Sequence, residues 1–198
     1  MATLEIANQR MTLEEFRKLP EGPPYYEFEE GELILMSSPT LEHQDIVGLL
    51  FAFLHAFLRK TRLGRIAMEL DVYLPDGHVY IPDLAFVAQD NIRMISPVDQ
   101  KIHGVPTMVT EIVSNDAARD RIRKFQVYFE NGVTWYWLVT QSLEIEEYHR
   151  TPQGYVRTAS VAVGEVFRPQ VFPGLEINLQ ELLGVSEEAT PENAKPSN

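Results

Sequence analysis

A chain of 198 residues, 44% hydrophobic and 23% charged, suits one globular domain with a sizeable single core. Its net charge of -12 excludes a protein that coats nucleic acid indiscriminately, because Lys and Arg supply most non-specific affinity for phosphate; a local basic surface stays compatible with it. The absence of cysteine excludes disulfides and thiolate metal sites, so any metal must be held by oxygen or imidazole ligands.

The opening "MATLEIANQR" lacks the basic-then-apolar pattern of a signal peptide, and no apolar run is expected to reach the ~20 residues of a membrane span, so the expected location is the cytoplasm. "TLEEFRKLP" predicts a short helix, with Thr12 and Glu15 spaced as a capping box and Pro20 beyond its end. "YYEFEEGELILMSS" predicts a hairpin turning near Glu30 and Gly31. From Thr40 to Leu63 the spacing predicts a long helix with the stripe Val47, Leu50, Leu54 and Phe57, stopped by Gly64.

Met68, Leu70, Val72 and Leu74 alternate with Glu69, Asp71 and Tyr73, which predicts one strand with Glu69 on its polar face. "PDG" at 75 to 77 then turns into a strand carrying "IPDLAFV". Residues 89 to 104 show no period and are expected as loop. After a strand ending at Val113, caps at 114 to 116 and "NG" at 131 and 132 bracket a helix with the core stripe Ala118, Ile122, Phe125 and Phe129. "TWYWLVT", "SLEIEEYHR" and "YVRTASVAV" predict further strands, and "FPGLEINLQELL" closes the fold. This order implies an α+β or α/β domain over residues 1 to 184, a central mixed sheet flanked by helices, followed by a disordered polar tail from 185 to 198.

Two apolar runs carry a charge. "IPDLAFV" contains Asp83, and "VPTMVTEIVS" contains Glu111. An unpaired buried carboxylate is costly and is tolerated when protonated, paired or bound to metal. Neighbouring strands would let the two acids converge on a hard divalent cation; the alternative is a pair of strand-end charges facing water or arginine. Two basic clusters, Arg59, Lys60, Arg62, Arg65 and Arg119, Arg121, Arg123, Lys124, are either solvated helix ends or local contact surfaces. Lys124 falls about 130° from the centre of its helix's apolar stripe, beside Arg121 and Tyr128. From there its ammonium either reaches back over the sheet edge or stays solvated, with Asp120 one turn earlier as an ion-pair partner.

"IPDLAFV", "EIVS" and "DRIRKFQVYFENGVTWYWLV", with "YEFEEGEL", "SSPTLEHQ" and "FPGLEINL", resemble the bacterial family of putative restriction endonucleases (Uma2/DUF820-like) in the PD-(D/E)XK nuclease superfamily. The match runs from about Thr12 to Leu183 in one consistent order. The resemblance implies a restriction-endonuclease-like core, with Asp83 and Glu111 as ligands of Mg²⁺ or Mn²⁺ and DNA as substrate. The superfamily's usual lysine two residues after the second acid is replaced by Val113, so Lys124 on the following helix takes its place. Glu27 matches an acid of the family and is either a metal or water contact or a surface charge. His43, at the start of the long helix, is either a core histidine or a site residue. Arg121 or Arg123 would replace Lys124 if another cation served. The resulting expectation is a metal-dependent DNA endonuclease, and a homodimer, since duplex cleavage uses two centres or one that resets. A catalytically silent nuclease-fold module for nucleic-acid or protein binding, and more weakly a two-carboxylate glycosidase, are the alternatives.

Overall fold

The structure, a computed structural model, describes residues 10–113 and 119–182, the side chains of 119–121 excepted. The expected tail and the caps at 114 to 116 lie outside the described residues. Helix α1 (Leu13–Phe16) opens on the capping box: Glu15 N donates to Thr12 Oγ1 at 3.2 Å, and Thr12 N donates to the Glu15 carboxylate at 2.7 Å. Strands β1 (Tyr26–Glu29) and β2 (Glu32–Leu35) form the expected hairpin. Its two turn residues, Glu30 and Gly31, both have positive φ, 50° and 91°, the combination that matches the twist of paired strands.

Helix α2 (Leu41–Thr61) is capped by Thr40 and buries Ile46, Val47, Leu50, Leu54 and Leu58. It ends on Arg62, whose φ of 57° is left-handed, rather than on Gly64. Gly64 is needed for a different reason: a Cβ there would stand 2.2 Å from the Val87 carbonyl oxygen. By length and composition α2 could cross a membrane, against the expectation of no such run. Charges at both its ends hid the apolar stretch between them, and its inner stripe packs in the main core.

Next come β3 (Gly64–Met68), β4 (Val72–Tyr73), β5 (Val79–Tyr80), β6 (Leu84–Ala88), a 3₁₀ turn at Gln89–Met94, β7 (Ile102–His103) and β8 (Met108–Ile112). A π-helical turn, Arg119–Lys124, leads into α3 (Phe125–Asn131). The chain finishes with β9 (Trp135–Val139), β10 (Ile145–Thr151), β11 (Gly154–Val161), β12 (Val166–Phe167), β13 (Ile177–Asn178) and α4 (Leu179–Leu182).

The larger sheet has the order β11-β10-β9-β8-β6-β3, parallel between β8 and β9 and antiparallel elsewhere. Alternation along its strands feeds two cores. Leu84, Phe86, Met108 and Trp137 pack with α2, while Ala85, Val87, Val109, Tyr136 and Leu138 pack with Val127 and Tyr128 of α3. The fold is therefore the expected mixed α+β arrangement with helices on both faces of a central mixed sheet.

A smaller sheet, β2-β1-β5-β4-β7, lies at the site end. The two expected long strands are each split between the sheets. The first breaks at Glu69, which has a left-handed φ of 47°, and the second breaks at residues 81 to 83. The period-two pattern continues through the first break, so hydropathy could not reveal it, whereas at the second Pro82 and Asp83 interrupt the apolar run. β7 and the 3₁₀ turn likewise occupy the segment expected as loop.

The helix after β8 has a different face from the one expected. Ile122 is 70% exposed, and the buried residues are Lys124, Val127 and Tyr128. Phe125 is half-buried against Tyr136, Tyr148 and Tyr155. The wider π turn shifts the helical phase of α3 relative to an unbroken α-helix. A stripe defined by apolar residues also leaves out a lysine whose charge is neutralised by buried carboxylates.

Candidate active site

β6 runs antiparallel to β8, with Leu84 opposite Thr110, so the start of one strand meets the end of the other. Asp83 stands one residue before β6 rather than within it. At this point the Ile112 N–H has no strand partner on the β6 side, and it donates to Asp83 Oδ2. A polar side chain interrupts the apolar run where a backbone donor at the strand end needs an acceptor. Oδ1 remains directed to the cleft, 3.0 Å from His43 Nε2.

His43 is placed by the first turn of α2, where its N–H donates to Thr40 Oγ1. Glu69 comes from the break between the sheets: its N–H donates to the Asp83 carbonyl at 3.1 Å, and its carboxylate accepts from Gln44 Nε2 at 2.7 Å. Ligand atoms of His43, Glu69 and Asp83 all lie within 4.8 Å of one another. The His43 and Asp83 side chains are 12% and 13% exposed, and Glu69 is open to solvent. Oxygen and imidazole donors at this spacing can bind a divalent cation.

A second polar group lies beside the first. Lys124 Nζ donates to both oxygens of Glu111, at 3.1 and 3.2 Å, and lies 3.0 Å from Glu27 Oε1. Glu27 Oε1 also accepts from Ile81 N, and Tyr128 OH donates to Glu111 Oε1 at 2.9 Å. All four side chains are buried. Two carboxylates and one ammonium leave a net negative charge in the group. Burial first, and then the charges of Glu111 and Glu27, push the Tyr128 phenol well above its ordinary value, so it remains a donor.

That shift fixes the sign of a pH effect. An unfolded tyrosine ionises near pH 10 while the folded one holds its proton, so Tyr128 should make stability fall as pH rises above 10. Urea unfolding between neutral and strongly alkaline pH should show a shallower decline in Tyr128→Phe than in the wild type. Equal declines would remove Tyr128 as a contributor.

A cleft of about 1210 Å³ is lined by His43, Glu69, Asp83, Glu111 and Lys124. It therefore brings together the three principal candidates, Asp83, Glu111 and Lys124, with His43. Glu27 is fully buried as a counter-charge for Lys124 rather than a surface charge. Asp120 and Arg121 lie on the π-helical turn with side chains outside the described residues. Arg123 donates to Glu30 at 2.8 Å and to Glu29 at 3.3 Å; its hydrogen bond to Glu30, with that to Glu29, holds its pKa above the ordinary value. Sequence reasoning missed Glu69, because no pattern marks a glutamate that adopts a left-handed backbone.

A mixed sheet between helix layers, with carboxylates, an imidazole and a buried ammonium gathered at one end, places the chain among the nuclease folds. It is similar to the crystal structure of a putative nuclease belonging to DUF820 from Anabaena variabilis ATCC 29413, at 22% identity over 88% of this chain and 98% of that one, with a TM-score of 0.69. At that identity the likeness is one of fold. The model of the Uma2 family, described as putative restriction endonuclease, matches residues 13–180, and the chain belongs to that family. Among curated proteins none matches.

Proposed function

We propose that the protein is a metal-dependent endonuclease that hydrolyses phosphodiester bonds of DNA. The observation that carries this reading is the convergence of His43, Glu69 and Asp83 within 4.8 Å, in a cleft also lined by Glu111 and Lys124. Two carboxylates and an imidazole suit Mg²⁺ or Mn²⁺, and the imidazole favours Mn²⁺. When bound, such an ion polarises a phosphate oxygen and lowers the pKa of a coordinated water.

The chain's own residues divide the remaining work. Asp83 fixes one oxygen on Ile112 N and keeps the other for the ion, while Gln44 orients Glu69. Lys124 supplies positive charge for the phosphate as charge develops on it. Glu111 holds that ammonium through both oxygens and is the further acid bordering the ion's place. Glu27 and Tyr128 position this pair from behind.

A silent module that binds nucleic acid or protein is the second reading, favoured by the pairing of Lys124 with two carboxylates of its own chain. Incubation with plasmid and single-stranded DNA in Mg²⁺, Mn²⁺ or chelator separates the two. Nicking that requires the ion and stops with chelator is expected. A folded protein that neither nicks nor binds either ion would overturn the enzyme reading.

A further inference from the structure

Helix α2 has two seams. The inner one packs on the sheet, while the outer face carries Leu41, Asp45, Gly48, Leu49, Ala52, His55, Ala56 and Arg59, at alternating steps near three and four. This outer face is uncovered among the described residues. Leu41 is 78% exposed, Leu49 37%, and Leu63, just past the helix, 40%. A Cβ built on Gly48 would meet nothing within 4 Å. Apolar side chains laid along one exposed helix face call for an explanation that scattered ones do not.

The charges on and beside this face are segregated. Glu42 and Asp45 stand at its beginning, and Arg59 and Arg62 at its end. None of the four makes an ion pair among the described residues. This distribution selects an occupant. Two copies of α2 packed antiparallel about Ala52 would set Asp45 against Arg59, Glu42 against Arg62, Leu49 against His55, Gly48 against Ala56 and Leu41 against Leu63. Parallel packing would oppose like charges, and a slip of one turn would exchange the two pairs Asp45–Arg59 and Glu42–Arg62 for a single one, Glu42 with Arg59 or Asp45 with Arg62.

We propose that a second copy of this chain covers the face, the two α2 helices packing antiparallel about a two-fold axis through Ala52. The interface is isologous, as the commonest closed dimers are, and the small residues at its centre let the helices approach closely. It places the two His43 residues roughly 27 Å apart along the helix direction, from 1.5 Å of rise per residue. The proposal does not depend on the nuclease reading, because none of the residues of this outer face lines the cleft.

Sedimentation of the full-length chain at micromolar concentration tests it. The wild type should be a dimer, and Ala52→Glu, which opposes two carboxylates at the axis, should be a monomer with an unchanged circular dichroism spectrum. Asp45→Arg and Arg59→Asp should each raise the dissociation constant by about tenfold or more, and the two combined should restore it. A monomeric wild type would overturn the proposal. So would a dimer that Ala52→Glu leaves intact, or a double exchange that fails to restore association.

Discussion

Asp83→Asn should abolish metal-dependent cleavage and leave stability nearly unchanged. The asparagine Oδ1 can still accept from Ile112 N, so the strand end keeps its partner. What disappears is the negative charge, and with it one of the two carboxylates that His43, Glu69 and Asp83 would offer an ion. Asp83→Ala provides the contrast. It loses both the ligand and the acceptor, leaving a buried donor unsatisfied at a cost of about 1–3 kcal/mol. Thermal melts and nicking assays on both variants separate the two roles. Full activity in Asp83→Asn would show that the site is wrongly assigned. An Asn variant as unstable as the Ala variant would mean that Asp83 is chiefly an ion-pair partner of His43, which lies 3.0 Å away.

Lys124→Ala should damage both stability and rate. Removing the ammonium leaves Glu27 and Glu111 buried without their shared counter-charge, and breaking one side of a buried pair costs about 3–5 kcal/mol. On the fraction that stays folded, cleavage should fall by at least ~10², the scale of losing one donor where charge develops. Lys124→Arg keeps the charge but changes the donor geometry, so it should recover stability more fully than rate. Ion affinity, measured by Mn²⁺ titration, should change little in either variant, because the ammonium is not a ligand. A Lys124→Ala protein that melts with the wild type would contradict the buried pairing. One that cuts at the wild-type rate would remove the lysine from the chemistry.

Burial changes the meaning of this second experiment. From the sequence, Lys124 lies well off its helix's apolar stripe, either reaching back over the sheet edge or solvated, and nothing marks it as part of the core. In the fold the π turn and the neighbouring carboxylates bring it inside, 4% exposed, so that the same side chain supports the structure and faces the cleft.

Features decided within a few residues were determined by the sequence itself. Thr12 and Glu15 reach each other across one helical turn, Glu30 and Gly31 supply the two positive φ values of a tight hairpin, and Thr40 starts α2. Asp83 and Glu111 were also legible as anomalies, because a charge in an apolar run must be compensated wherever the chain folds. The identity of the compensating partner was not legible. Asp83 is met by Ile112 N and His43, whereas Glu111 is met by Lys124 and Tyr128, and these contacts span 13 to 40 positions of the chain. Only the tertiary structure could decide them, since they depend on how two strands break between sheets and on which face the helix after β8 presents. Glu69 shows the reason most plainly: its place beside Asp83 follows from one left-handed residue, and a backbone angle imposed by distant packing leaves no trace in hydropathy.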